Sequence, residues 1–60
     1  MKSKEFTQVA AHEGGDSGWF INKYSEDQFV LYEYVIGGNE HLIGLFDTFE
    51  LARNAADNLT

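Results

Sequence analysis

Trp19-Phe20-Ile21-Asn22-Lys23-Tyr24-Ser25-Glu26-Asp27-Gln28-Phe29-Val30-Leu31-Tyr32-Glu33-Tyr34-Val35-Ile36 is the stretch that decides the fold. Trp19–Tyr24 and Phe29–Ile36 are rich in aromatic and β-branched side chains, which suit a pleated surface. Ser25–Gln28 between them is short and polar, so the two runs predict a hairpin. Alternation then assigns the faces. Phe29, Leu31, Glu33 and Val35 point one way and Val30, Tyr32, Tyr34 and Ile36 the other; Trp19 and Ile21 likewise oppose Phe20 and Tyr24. Bulky groups therefore lie on both sides, where an antiparallel sheet with one wet face would alternate apolar with polar.

Working outward, Gly37-Gly38-Asn39 is a second tight turn, with glycine supplying the positive φ that hairpins need. His41–Phe46 follows as another strand. Upstream, His12–Gly18 is a glycine-rich loop, in which His12 reads as solvated. Before it, Glu5–Ala10 alternates weakly, with Phe6 and Val9 on opposite faces, and is the candidate for one more strand; residues 1–4 read as frayed. The chain ends in a predicted helix over 48–59. Asp47 with Glu50 three residues on forms a capping box, and Thr48 competes as the cap. At helical spacing Ala52, Ala55, Ala56 and Leu59 make one stripe, flanked by Phe49 and Leu51, opposite Glu50, Arg53, Asn54 and Asp57. The expected fold is α+β, one domain over 1–60: an antiparallel meander of three strands, or four with the first segment, packed by one C-terminal helix.

One helix covers one side of a sheet. Three covers for the second side follow: the N-terminal segment folded across it, a second copy in a symmetric dimer, or a partner protein.

Sixty residues carry ten acidic and four basic side chains, a formal charge of −6, with no cysteine and no proline. A domain this small buries only about 60% of its unfolded surface, which leaves no room for a two-lobed catalytic cleft. The absence of cysteine excludes disulfides and thiolate metal sites. No apolar run is long enough to span a membrane, and no apolar segment follows Met1-Lys2-Ser3-Lys4-Glu5, so a complete cytoplasmic chain is expected. Nucleic-acid binding draws its affinity from Lys and Arg on phosphates. Only Lys2, Lys4, Lys23 and Arg53 are present, so direct binding to DNA or RNA is disfavoured.

No motif carries catalytic or cofactor chemistry. Gly15-Asp16-Ser17-Gly18 echoes a serine-nucleophile segment, but that chemistry needs a base, an orienting acid and an oxyanion hole on a large scaffold, so it reads as a turn. His12 and His41 lack the spacing of paired metal ligands, and His41 reads as a strand residue at an edge. Neither Gly14-Gly15 nor Gly37-Gly38 opens onto a helix as a phosphate cradle must. Glu33, the one acid inside an apolar strand, either faces the core and pairs with Lys23 or Arg53, or stands among aromatics on a binding face.

Ile43-Gly44-Leu45-Phe46-Asp47-Thr48-Phe49-Glu50-Leu51-Ala52, with Ala55 and Asp57, resembles the end of the DNA-binding domain of plant ethylene-response factors. The arm-binding domains of phage-type tyrosine integrases are similar in layout, with three strands and then a helix. The resemblance implies the scaffold: a glycine that lets the helix approach, a core phenylalanine and an Asp-Thr cap. That family reads DNA with arginines and tryptophans on its first two strands. Here those strands offer Lys23, Trp19 and no arginine, so no DNA-contacting role is carried over.

Size, acidity and missing chemistry together resemble the small acidic inhibitors of phages and mobile elements, of the anti-defence or DNA-mimic type. The expectation is a non-enzymatic module that occupies the basic nucleic-acid-binding surface of a protein partner. Glu26, Asp27, Glu33 and Glu40 would stand in for phosphates, with Trp19, Tyr32 and Tyr34 as anchors. The alternatives are a nucleic-acid-binding domain of the integrase-arm type and a structural homodimer closed through the second sheet face.

Overall fold

A computed structural model describes residues 5–59; the fraying expected of residues 1–4 lies outside them. Four strands, β1 (Thr7–Glu13), β2 (Ser17–Ser25), β3 (Gln28–Val35) and β4 (Glu40–Phe46), are followed by one helix, α1 (Phe49–Asp57). They form a single antiparallel sheet in sequence order, β1-β2-β3-β4, so β1 and β4 are its edges. The α+β meander with a C-terminal helix is as expected, with the first segment supplying the fourth strand. β1 runs further than expected, through His12 to Glu13, because pairing with β2 continues up to the Gly14 turn. His12 is accordingly a strand residue and not part of a loop, a correction of the sequence reading.

Hairpin geometry accounts for the turns. The Gly14 N–H donates to the Ser17 carbonyl at 2.7 Å, and the Ile36 N–H reaches the Asp16 carbonyl at 2.9 Å, tying the end of β3 to the first turn. Gly37 and Gly38 hold φ of 115° and 96°, a region closed to most L side chains.

The core forms on one face. Trp19, Ile21, Phe29 and Leu31 from β2 and β3 meet Ala52 and Ala56 of α1, with Ala10, Phe46, Ala55 and Leu59 packed around them. Ile21, Leu31, Ala52 and Ala56 have no exposed surface. Two methyl side chains at the contact let the helix lie close on the sheet, as the alanine stripe implied. The cap is Thr48, not Asp47: its backbone is extended and its Oγ1 accepts from the Leu51 N–H at 3.2 Å. At Gly44 it is the Phe46 ring, and not the helix, that takes the space a Cβ would fill, 3.2 Å from its position.

Two irregularities re-phase the edges. The β1–β2 register shifts between Gln8 and Ala10, so Val9 is the extra residue. In β4 the pairing passes from Gly44 opposite Leu31 to Leu42 opposite Tyr32, stepping over Ile43. A bulge of this kind moves every later side chain to the other face. Leu42 and Leu45 therefore share the side away from the helix, where they are 58% and 63% exposed. The body is 15 Å through its thin axis, one sheet and one helix deep.

Candidate protein-docking face

The face of the sheet away from α1 is built in rows by the register. Glu13, Gly18, Tyr34 and Glu40 lie across from one another at one end. Ala11, Phe20, Tyr32 and Leu42 form the next row, and Gln8, Asn22, Val30 and Leu45 the third. Tyr24 continues the face, and the Phe6 ring lies against it with centroids 5.3 Å apart. Among the described residues no helix or strand packs across these rows. The expectation that the N-terminal segment folds over this face is corrected for residues 5–13: they lengthen the sheet sideways, because β1 finds its hydrogen bonds on the β2 edge.

Aromatic packing makes the face rigid. Phe20 stacks on Tyr32 at 5.0 Å with planes 15° apart, and Tyr34 stands 6.2 Å from Phe20 on the other side. The Tyr34 ring lies over Gly18, where a Cβ would come within 2.7 Å of its Cζ. A hydrogen bond with Tyr24, then burial, with the charge of Glu40 adding to them, push the Tyr32 phenol above its ordinary 10.0. Tyr32 is thus a neutral hydrogen-bonding group at physiological pH.

Asn22 is the anomaly of this face. It sits mid-strand, 5% exposed, and its Oδ1 has no hydrogen-bond partner. A buried acceptor without a donor costs stability, and an apolar side chain of similar shape removes that cost. Asn22→Leu is therefore expected to stabilise the fold by about 1 kcal/mol. A thermal melt should show a midpoint higher by roughly 4–8 °C for a domain of this size.

Charge is distributed unevenly between the two sides. Lys23 lies 5.7 Å from the Phe29 ring centroid and 3.7 Å from Glu26. Arg53 pairs with Asp57 and sits 5.2 Å from the Trp19 ring centroid, on which His12 also stacks at 5.9 Å. His41 is opposite Glu33, on the same side. Every described Lys, Arg and His thus belongs to the helix side, while Glu13 and Glu40 stand at the two edges of the open face. Three strand spacings separate them, about 14 Å.

Of the residues expected to bind a partner, the fold brings together Tyr32, Tyr34 and Glu40. Trp19 is corrected: at 5% exposure under α1 it is core, and offers no anchoring area. Glu33 is half-buried on the helix side, opposite Trp19, and the two cations that could have paired with it go to Glu26 and Asp57. Glu26 and Asp27 lie exposed in the β2–β3 turn, beyond the rows, where Asp27 accepts from the Ser25 hydroxyl at 3.1 Å. Phe20, Tyr24, Asn22 and Glu13 are the additions. The first two alternate in phase with Tyr32 and Tyr34, a signal already present in the chain, whereas Asn22 reads in isolation as a solvent-facing amide. Among the described residues no three His, Asp or Glu side chains converge as metal ligands would. No described helix is long and apolar enough to cross a membrane. No protein-family model, curated protein or solved structure matches this chain, so its function has to be argued from this face.

Proposed function

We propose that this chain is a small, acidic, non-enzymatic protein-binding module of the inhibitor type, whose open sheet face docks on the basic nucleic-acid-binding surface of a partner complex. One observation carries the reading: the uncovered face presents stacked aromatics between two carboxylates, and every described cation lies on the opposite side. Tyr and Phe rings supply contact area at little entropic cost, and the tyrosines keep a polar tip for the interface. Glu13 and Glu40 draw a cationic surface onto them and would disfavour phosphates. The integrase-arm alternative needs its bases on the sheet face, and Lys23 and Arg53 lie on the other side.

A homodimer through the same face is the second reading, favoured by Leu42 and Leu45, which carry the apolar surface out to the β4 edge. Light scattering separates it from a monomer.

The test is capture of a partner by tagged protein from lysate of the source organism or its host, with nuclease present, followed by titration of the purified complex. Affinity should fall on the order of tenfold as ionic strength rises from about 0.05 to 0.5 M. Glu40→Lys should weaken binding and flatten that salt dependence. Recovery that requires intact nucleic acid, or a complex indifferent to salt, would sink the basic-surface reading.

A further inference from the structure

The orphaned Asn22 lies in a groove of about 370 Å³ on the open face. Phe6, Phe20, Tyr24 and Tyr32 line it, and Glu40 closes one end. That volume falls in the range of ligand pockets, roughly 300–1,000 Å³. The combination is selective. Aromatic faces and a carboxylate attract a cation. An amide oxygen needs an N–H donor, which an apolar anchor cannot provide. The Phe20 and Tyr32 rings, stacked on each other, form a fixed aromatic wall of the groove. An ammonium is a compact, strongly hydrated point charge, whereas a guanidinium is planar, sheds water more readily, stacks on rings and donates from several edges at once.

We infer that this groove is the seat of an arginine side chain from the protein partner, its guanidinium lying among the lining rings, drawn in by the Glu40 carboxylate and donating to Asn22 Oδ1. This rests on the protein-docking reading above and names the residue by which the partner is held. In the free protein Asn22 Oδ1 is sealed from water, so a donor reaches it only when a neighbouring ring moves. Phe6 is the ring least constrained: it precedes β1 and is 54% exposed. Arginine entry therefore couples movement of a lining ring, Phe6 being the most exposed of them, to completion of the Asn22 hydrogen bond.

The experiment titrates isotope-labelled full chain with blocked Gly-Gly-Arg-Gly-Gly and with its lysine and citrulline counterparts, followed by NMR. The arginine peptide should give saturable shifts at the Asn22 side-chain amide and at the Phe6, Tyr24 and Tyr32 rings. Its apparent affinity should exceed that of either counterpart by about fivefold. Glu40→Gln should weaken it about threefold, and Asn22→Leu should erase the preference for arginine over lysine while the fold persists. Equal shifts for the arginine and lysine peptides, shifts confined to the helix side, or an arginine preference retained in Asn22→Leu would each overturn the assignment. Partner capture in parallel keeps the two readings apart. If Tyr32→Ala abolishes capture but the peptides show no arginine preference, the arginine seat is wrong and the docking face stands. If Tyr32→Ala captures the partner as the unmodified chain does, the face itself is wrong, and the arginine seat falls with it.

Discussion

Leu31→Ala should lower the thermal midpoint by about 10 °C or more, and at the upper end of its cost should abolish the cooperative transition altogether. Leu31 has no exposed surface and stands at the centre of the cluster formed with Ile21, Phe29 and the two helix alanines. Truncating a buried leucine costs about 2–5 kcal/mol, from lost transfer energy and from the cavity left behind. A 60-residue domain has roughly 3–9 kcal/mol of stability in total, so the substitution removes most of it. The cavity cannot collapse easily: Ala52 and Ala56 already bring the helix down to methyl contact. Tyr32→Ala, one residue along and on the opposite face, is the control. Its partly buried ring loses the Phe20 stack and the hydrogen bond with Tyr24 but leaves the helix-side core intact, and the variant should stay folded while partner binding is lost. Circular dichroism melts of the two variants check the contrast, and a Leu31→Ala protein melting as the parent does would contradict the assignment of the core.

Gly18→Ala should destabilise the chain by about 3 kcal/mol, more than overpacking by one methyl group costs at most sites. An added Cβ would run into the His12 carbonyl oxygen and press on the end of the Tyr34 ring. The ring can swing away, but the carbonyl belongs to the backbone of β1 and is held by pairing with β2. Relief therefore requires β1 to move away from its neighbour, loosening that pairing. Gly15→Ala, three residues earlier, meets nothing within 4 Å and should be near neutral. Urea denaturation of both variants gives the comparison, and equal midpoints would show that β1 does not press on Gly18 as described.

Much of the architecture was legible because the physics behind it is local. Aromatic and β-branched runs at 19–24 and 29–36, paired glycines at 37–38 and an alanine stripe at helical spacing each constrain the backbone where they stand. Their alternation also placed Tyr32 and Tyr34 opposite Phe29 and Leu31. The misreadings fall where a distant partner decides. His12 looked like a loop residue because it adjoins glycines, yet pairing with Trp19 extends β1 through it. Trp19 looked like an anchor because tryptophan suits interfaces, but its phase with Ile21 put it under the helix.

The chain by itself determined an antiparallel meander, a C-terminal helix and a second apolar face with nothing in the pattern to cover it. Only the tertiary structure decided which residues of different strands meet on that face. Strand register and the bulges at Val9 and Ile43 are set by hydrogen bonds between segments distant in sequence, and a slip of one residue exchanges the two sides. Those contacts align Glu13 with Glu40 across Gly18 and Tyr34, carry Leu42 away from the helix, and leave Asn22 buried without a donor. Periodicity along a strand records the phase of each side chain. It does not record which strand lies beside it, and the chemistry of this surface is made between strands.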